Sequence, residues 1–174
     1  MSERGENWEV PWAQGLVSGT WSPERASLAK TFAGAIRQTG SLMVLMTHAA
    51  ADRIGINATD LNCLNILSFS GQLTAGELAK ATGLTTASIT GVVDRLEQAG
   101  FVRRERDAQD RRRVVIHLET ARALGTVAPV FGPMVGAWQR LADEYTDDEL
   151  RLIVEFYAQL EQILRDHLTR LRES

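Results

Sequence analysis

Two short helical patterns followed by an arginine-rich hairpin occupy residues Leu73 to Leu118. Thr74 and Glu77 have the spacing of a capping box, so the first helix is predicted to begin here. Gly83 predicts its end, because many helices end at a glycine in the left-handed conformation. The segment Thr82-Gly83-Leu84 then joins the two patterns, and a glycine-containing turn of this length is typical of a helix-turn-helix.

The second helix is predicted to begin at Thr85 or Thr86 and to end at Gly100. Its inward-facing residues are expected to be Ile89, Val92, Val93 and Leu96. Two strands are predicted next, over 101–106 and 114–118, with a turn at 107–110 between them. A helix-turn-helix followed directly by a strand pair predicts the winged version of the module, in which the hairpin is the wing.

Polar residues on the second helix and arginines on the wing are the candidate functional residues. In this module the N-terminal residues of the second helix face base edges in the major groove of DNA. Hydroxyl and methyl groups can contact those edges. Arginines beyond the hairpin turn can enter the minor groove or contact phosphates, and an acid beside them can pair with one of them. We therefore predict DNA-binding roles for Thr85, Thr86, Ser88, Thr90, Arg95, Asp110, Arg111, Arg112 and Arg113.

The distribution of charged residues along the chain supports a polyanionic partner more than the net charge of the chain does. The 174-residue chain has a formal net charge of -3, but Leu73–Leu118 contains eight basic and six acidic side chains, a net of +2. The remainder therefore carries -5. Six arginines against three acids lie between Arg103 and Arg113. An acidic body with one local basic patch is expected to turn that patch toward a polyanion.

Other features exclude several classes of protein. No apolar run is long enough to cross a membrane, and the first residues lack the pattern of a signal peptide. The one cysteine, Cys63, excludes an internal disulfide framework and favours a reducing cytoplasm. We expect it to be buried and inert rather than a redox sensor. No metal motif, cofactor-binding loop or pairing of a nucleophile with a base is present, so neither a metal site, a cofactor nor an enzyme is predicted.

Helical patterns flank the central segment on both sides. Ser22-Pro23-Glu24 predicts a helix start, and apolar residues at three- and four-residue spacing continue to about Arg53. Thr59 is predicted to cap the next helix. Pro129, Gly132 and Pro133 are expected to interrupt or kink the helical region after Thr120. Thr146 and Glu149 predict the start of a last amphipathic helix. The first 21 residues, with tryptophans at 8, 12 and 21, are interpreted as an arm that packs on the body or on a partner subunit, or as an aromatic ligand clamp.

The segments LTAGELAKATGL, TTASITGVVDRLEQAGFVRR and RDAQDRRRVVIHL resemble the MarR family of winged helix-turn-helix transcriptional regulators. The resemblance covers roughly residues 25–170 and adds Arg104 to the expected DNA-binding residues, with Arg112 in the minor groove and Asp110 orienting it. It also implies a homodimer whose first and last helices interlock. Two positions depart from the family pattern, where Glu119 replaces the usual Thr and Arg122 the usual Gly.

The expected architecture is mainly α (α+β), a winged helix-turn-helix with long N- and C-terminal dimerisation helices. The expected organisation is an arm at 1–21, a helical dimerisation region at 22–56 and 120–174, and a DNA-binding lobe at 57–119. The hypothesis is a cytoplasmic, homodimeric repressor that binds pseudo-palindromic double-stranded DNA and is relieved by a small-molecule effector. Pocket candidates are Met43, Met46, His48 and Trp138, although residues of these types at such positions are more often plain core. The alternative is a winged-helix protein-interaction module without DNA binding.

Overall fold

The computed structural model describes residues 20–107, 110 and 112–173. Its helices are α1 (Pro23–Ile54), α2 (Ala58–Ser70), α3 (Ala75–Thr82), α4 (Thr86–Gln98), α5 (Thr120–Thr126), α6 (Ala128–Ala142) and α7 (Asp147–Glu173). Its strands are β1 (Leu73–Thr74), β2 (Val102–Arg106) and β3 (Val114–Leu118). The expected helix-rich fold with a small antiparallel sheet is therefore confirmed. No helix among these residues is long and apolar enough to cross a membrane.

Local capping interactions set most of the helix ends. Ser22 Oγ accepts a hydrogen bond from the backbone N–H of Arg25 at the start of α1. Thr74 and Glu77 form the predicted capping box of α3, and Thr146 and Glu149 bond reciprocally in the same way at the start of α7. These residues satisfy N–H groups that the first helical turn leaves without partners.

The predicted cap of α2 is wrong by two residues. Asn57, not Thr59, occupies the N-cap position, and its Oδ1 accepts the backbone N–H of Asp60 at 2.8 Å. Both residue types cap helices well. Asp60 is the third residue of α2, and its side chain is buried.

The sheet contains one strand more than the hairpin predicts. The strand order is β1-β3-β2, and both pairings are antiparallel. Leu73 pairs with Ile116 and Thr74 with Val115, while β2 and β3 pair from Val102–Leu118 to Arg106–Val114. The two-residue β1 therefore joins the segment before α3 to the wing by pairing with β3.

The chain divides into two units, Met1–Ala123 and Leu124–Ser174. The hydrophobic core of the described residues lies in the first unit, where α2, α3, α4 and the sheet supply nearly all of it. The largest fully buried side chains include Phe101, Leu61, Leu67, Leu78, Ile89, Leu96 and Ile116. Burial of an aliphatic or aromatic side chain contributes about 1.5–3 kcal/mol, so this core fixes α4 and the wing in one lobe.

The second unit contains the rest of the helical region. The interruption expected near Pro129 falls at Val127, between α5 and α6, whereas Pro133 lies inside α6. Many apolar side chains of α6 and α7 are exposed in a single copy of the chain, among them Trp138, Leu152, Ile163, Leu164 and Leu171.

Candidate nucleic-acid interface

The core holds α4 so that one face is buried and the other is open. Thr85 caps this helix, since its Oγ1 accepts the backbone N–H of Ser88 at 3.1 Å. The buried face consists of Ile89, Val92, Val93 and Leu96, as the sequence predicts. The four predicted hydroxyl-bearing residues of this helix start are all exposed, namely Thr85, Thr86, Ser88 and Thr90.

Hydrogen bonds distinguish these four hydroxyls. The Thr85 and Ser88 hydroxyls bond to each other at 2.8 Å, and Thr90 Oγ1 donates to the backbone carbonyl of Thr86 at 2.9 Å. Among the described residues none bonds to the Thr86 hydroxyl. Thr86 is therefore the hydroxyl most available to an external donor or acceptor.

Two aspartates organise the tip of the wing through its backbone. Asp107 Oδ1 accepts the backbone N–H of Asp110 at 3.2 Å, and Asp110 Oδ1 accepts the backbone N–H of Arg112 at 3.0 Å. The backbone N–H of Arg113 donates to the carbonyl of Asp110 at 2.9 Å. Aspartate side chains commonly stabilise turns in this way. Asp110 thus contacts the main chain of Arg112, where the sequence predicts a pairing with an arginine side chain.

The wing arginines differ in how strongly the protein itself holds them. Arg112 is exposed, and its guanidinium has no ion-pair partner among the described residues. Arg113 Nη2 donates to Glu77 Oε1 at 3.0 Å, which links the wing to the capping box of α3. Arg104 pairs with both Asp94 and Glu97 of α4. Arg111 lies outside the described residues. Among the predicted wing contacts that the structure describes, Arg112 is therefore the cation best placed for an external anion.

The Glu77 carboxylate accepts hydrogen bonds from three donors on two residues. Its Oε2 accepts the Thr74 backbone N–H at 2.7 Å and the Thr74 hydroxyl at 2.8 Å, while its Oε1 accepts from Arg113. The Thr74 hydrogen bonds, followed by Arg113, lower the pKa of Glu77 below its ordinary value. One acid thus serves both the first helix of the helix-turn-helix and the wing.

Arg95 is held by a partner on another helix. Its Nε donates to Asp60 Oδ2 at 3.0 Å, and its Nη2 donates to Asp60 Oδ1 at 2.7 Å. This hydrogen-bonded partner raises the pKa of Arg95. Cys63 lies near the same pair, and burial followed by the Asp60 charge raises the pKa of its thiol to about 11.

Glu119 and Arg122, the two residues that depart from the family pattern, contact residues at the base of the wing. Glu119 accepts a hydrogen bond from Arg103 Nη1 at 3.0 Å, and its own N–H donates to the carbonyl of Phe101 at 2.8 Å. The Arg122 guanidinium lies over the ring of buried Phe101, 5.3 Å from its centroid. These contacts join β2 to the first turn of α5 within the first unit.

Sequence reasoning missed the acids that hold the arginines. Asp60, Glu77, Asp94 and Glu97 were not among the candidates for the interface. Asp60 carried a usable signal, because it shares a helical stripe with Leu64 and Leu67, at spacings of four and seven residues. A charged residue on the core face of a helix is expected to have a partner.

The remaining predicted positions are distributed over both units. Met43, Met46 and His48 lie on α1, and Trp138 lies on α6. Met46 is half-buried, and the other three are exposed in a single copy. In the described part of the chain no cluster of His, Cys, Asp or Glu could hold a metal ion.

Trp21 is the tryptophan of the predicted arm that the structure describes. The Arg25 guanidinium lies 5.5 Å from the centroid of its ring. The other two tryptophans of the arm lie outside the described residues.

The lobe has the parts of a winged helix-turn-helix protein: α3, a glycine turn, α4 and an arginine-bearing β2–β3 wing. The MarR family profile matches residues 56–114, which cover α3, the glycine turn, α4, β2 and the wing as far as the first residue of β3. Over 149 residues the chain is 44% identical to the HTH-type transcriptional regulator YcgE of Bacillus subtilis (strain 168), with 86% of this chain and 96% of that protein covered.

Two further comparisons agree. The chain is 30% identical over 121 residues to the HTH-type transcriptional repressor YetL of Bacillus subtilis (strain 168), with 67% of this chain and 72% of that protein covered. The solved structure of a MarR family protein from Bacillus stearothermophilus has the same fold, with a TM-score of 0.61 at 22% identity over 83% of this chain and 99% of that one. The chain belongs to the MarR family and is a helix-turn-helix transcriptional regulator. The resemblance noted in the sequence is thereby confirmed.

Proposed function

We propose that the chain is a homodimeric repressor that binds pseudo-palindromic double-stranded DNA in the cytoplasm. The observation that carries this proposal is that one lobe presents both an open α4 face and an exposed Arg112. An α-helix fits the major groove, while an arginine on a wing can enter the neighbouring minor groove. Two such lobes would contact half-sites about one helical turn apart, roughly 34 Å.

On α4 the proposed base-contacting residues are Thr85, Thr86, Ser88 and Thr90. Thr86 has the leading role, because its hydroxyl is exposed and unused by the described residues. Thr85 and Ser88 already bond to each other, so they would hold the helix start in shape while offering their remaining lone pairs. The wing contacts are assigned to Arg111, Arg112 and Arg113, with Asp110 shaping the loop.

Arg113 and Arg104 have supporting roles in this proposal. The Arg113–Glu77 pair is half-exposed on both sides, and exposed pairs are weak. A phosphate can therefore compete with Glu77 for Arg113. Arg104 is more enclosed and bonds to two acids of α4, so it would keep the wing aligned with the helix that enters the groove.

The helical regions at 22–56 and 120–174 are proposed to form the dimer. In a single copy, α1 leaves Leu28, Phe32, Leu42 and Leu45 exposed, and α7 leaves Leu152, Ile163, Leu164 and Leu171 exposed. Soluble proteins seldom expose so many large apolar side chains along two helices unless a partner covers them. A second copy would supply that cover and the two-fold symmetry that a palindrome requires.

Repression relieved by a small molecule completes the proposal. YetL, which is similar to this chain over 121 residues, is named a repressor. An effector can change DNA affinity only if it binds one conformation of the dimer better than another. Met43, Met46, His48 and Trp138 remain the candidate effector contacts.

Selection of bound duplexes from a random DNA pool tests the central proposal. We expect enrichment of one pseudo-palindrome whose half-sites are about 10 base pairs apart. Affinity for it should fall steeply with salt, because arginines that contact phosphates release counterions. Recovery of no enriched sequence, together with a flat salt response, would instead favour a winged-helix protein-interaction module.

A further inference from the structure

Asp60 is the one charged side chain that is buried among the described residues, with 2% of its surface exposed. It lies in the first turn of α2, outside the segments that carry the predicted DNA contacts. A buried carboxylate is costly unless it is paired and hydrogen-bonded. Its partner therefore identifies what the position does.

That partner is Arg95 of α4, which is bound through two parallel N–H···O hydrogen bonds of 3.0 and 2.7 Å. Bidentate arginine–carboxylate pairs fix the plane of the guanidinium as well as its position. The pair is also asymmetric, because 52% of the Arg95 side chain is exposed against 3% of Asp60. Asp60 thus anchors one edge of a guanidinium whose other edge faces outward.

The outward edge is Nη1, which has no acceptor among the described residues. Nη1 lies 3.7 Å from the position that a Cβ would occupy at Gly91, one turn earlier on α4. Because Gly91 has no side chain, the approach to Nη1 from that side is open. Arg95 is therefore charged, held in place and accessible.

We propose that Asp60 is a positioning residue, which holds Arg95 so that its Nη1 can donate a hydrogen bond to a DNA phosphate. This inference rests on the proposed function. A phosphate is favoured over a base for two reasons. Arg95 lies in the third turn of α4, beyond the N-terminal residues that face base edges. Its side chain is also drawn sideways to α2, toward the flank of the helix, where the groove walls carry phosphates. The rotamer freedom of Arg95 is then lost on folding rather than on DNA binding.

Two variants separate positioning from charge. Asp60→Asn removes one negative charge, so long-range electrostatics alone would tighten binding to DNA. Loss of positioning predicts the opposite, a weakening of roughly threefold to tenfold. The Asp60→Asn, Arg95→Gln double variant keeps the net charge of the pair at zero and retains amides that can bond to each other. Loss of a phosphate contact predicts roughly tenfold weaker binding by this variant.

The experiment measures dissociation constants for the duplex selected from the random pool and for a scrambled duplex of the same length. Asp148→Asn is the matched control, because it removes one negative charge at a side chain that is 92% exposed on α7. Urea unfolding checks that each variant is folded at the assay temperature. If Asp60→Asn does not fold, the neutral double variant still tests whether Arg95 contacts DNA, and unchanged binding by it would overturn the inference.

We expect each Asp60 variant to weaken binding to the selected duplex and binding to the scrambled duplex by the same factor. Asp148→Asn should bind at least as well as the unaltered chain. Unchanged or tighter binding by the Asp60 variants would overturn the inference. A loss confined to the selected duplex would reassign Arg95 to a base contact and overturn it too. Failure of the unaltered chain to bind any duplex would reject the proposed function itself, and this inference with it.

Discussion

Arg104 Nη2 lies 2.6 Å from Asp94 Oδ1, so strand β2 of the wing is bonded directly to helix α4. The same guanidinium contacts Glu97, which also accepts the backbone N–H of Arg104 at 3.0 Å. One arginine thus bonds to two acids on successive turns of the helix. The helix and the wing are consequently expected to move as one body.

Replacing Arg104 tests this connection. We expect Arg104→Gln to lower the free energy of unfolding by about 1 kcal/mol, because networked ion pairs contribute more than isolated exposed ones. Urea unfolding at neutral pH measures the change. Arg106→Gln on the same strand is the control, since Arg106 has no ion-pair partner among the described residues. Equal unfolding midpoints for the two variants would contradict the connection.

Arg112 is expected to affect DNA binding without affecting stability. Its side chain is exposed, and among the described residues Arg112 bonds only through its backbone N–H, to Asp110. Arg112→Ala should weaken binding to the selected duplex by about 1–3 kcal/mol in a titration at fixed salt. The unfolding midpoint and the molar mass should stay as they are. Arg53→Ala, at the end of α1, is the control for the loss of one positive charge, and an unchanged affinity for Arg112→Ala would refute the wing assignment.

The helix boundaries could be predicted because their causes are local. Thr74 with Glu77, Thr85, and Thr146 with Glu149 are capping signals that act within one helical turn, and all three are found in the structure. The cap of α2 was predicted wrongly, at Thr59, because asparagine and threonine both cap helices well and Asn57 stands only two positions earlier. Asp60 in the same helix is buried, and its partner Arg95 lies 35 residues away. Strand β1 has two residues, too few for any periodicity to show.

The interface itself could be predicted only in part. The hydroxyls of α4 and the arginines of the wing stand out by residue type and by position along the chain. Their intramolecular partners do not, because Arg95 meets Asp60 across 35 residues and Arg113 meets Glu77 across 36. Such pairs follow from tertiary packing. They decide which of the described wing arginines are held by the protein and which, Arg106 and Arg112, have no ion-pair partner among the described residues.

The apolar face of α7 predicts self-association. Leu164 is 52% exposed in a single copy and belongs to a run of apolar residues along the helix. Light scattering at micromolar concentration should return twice the 19.2 kDa mass of the chain. Leu164→Glu should shift that mass toward the monomer, because a charge in an apolar interface loses its hydration. Thr169→Glu adds the same charge to an exposed position of α7 and should have the smaller effect. A monomer mass for the unaltered chain would contradict the proposed dimer.

Cys63 is expected to resist thiol reagents while the protein is folded. None of its surface is exposed, and burial, followed by the Asp60 charge, raises the pKa of its thiol to about 11. The thiolate is the reactive form, so its fraction at neutral pH should be very small and should rise only as the pH approaches that pKa. A disulfide-exchange reagent should therefore label native protein slowly and urea-unfolded protein rapidly, with one thiol per chain. Cys63→Ser, which lacks the thiol, gives the background of the assay. Rapid stoichiometric labelling of the native protein at neutral pH would refute the assignment of Cys63 as an inert core residue and would make it a candidate redox sensor.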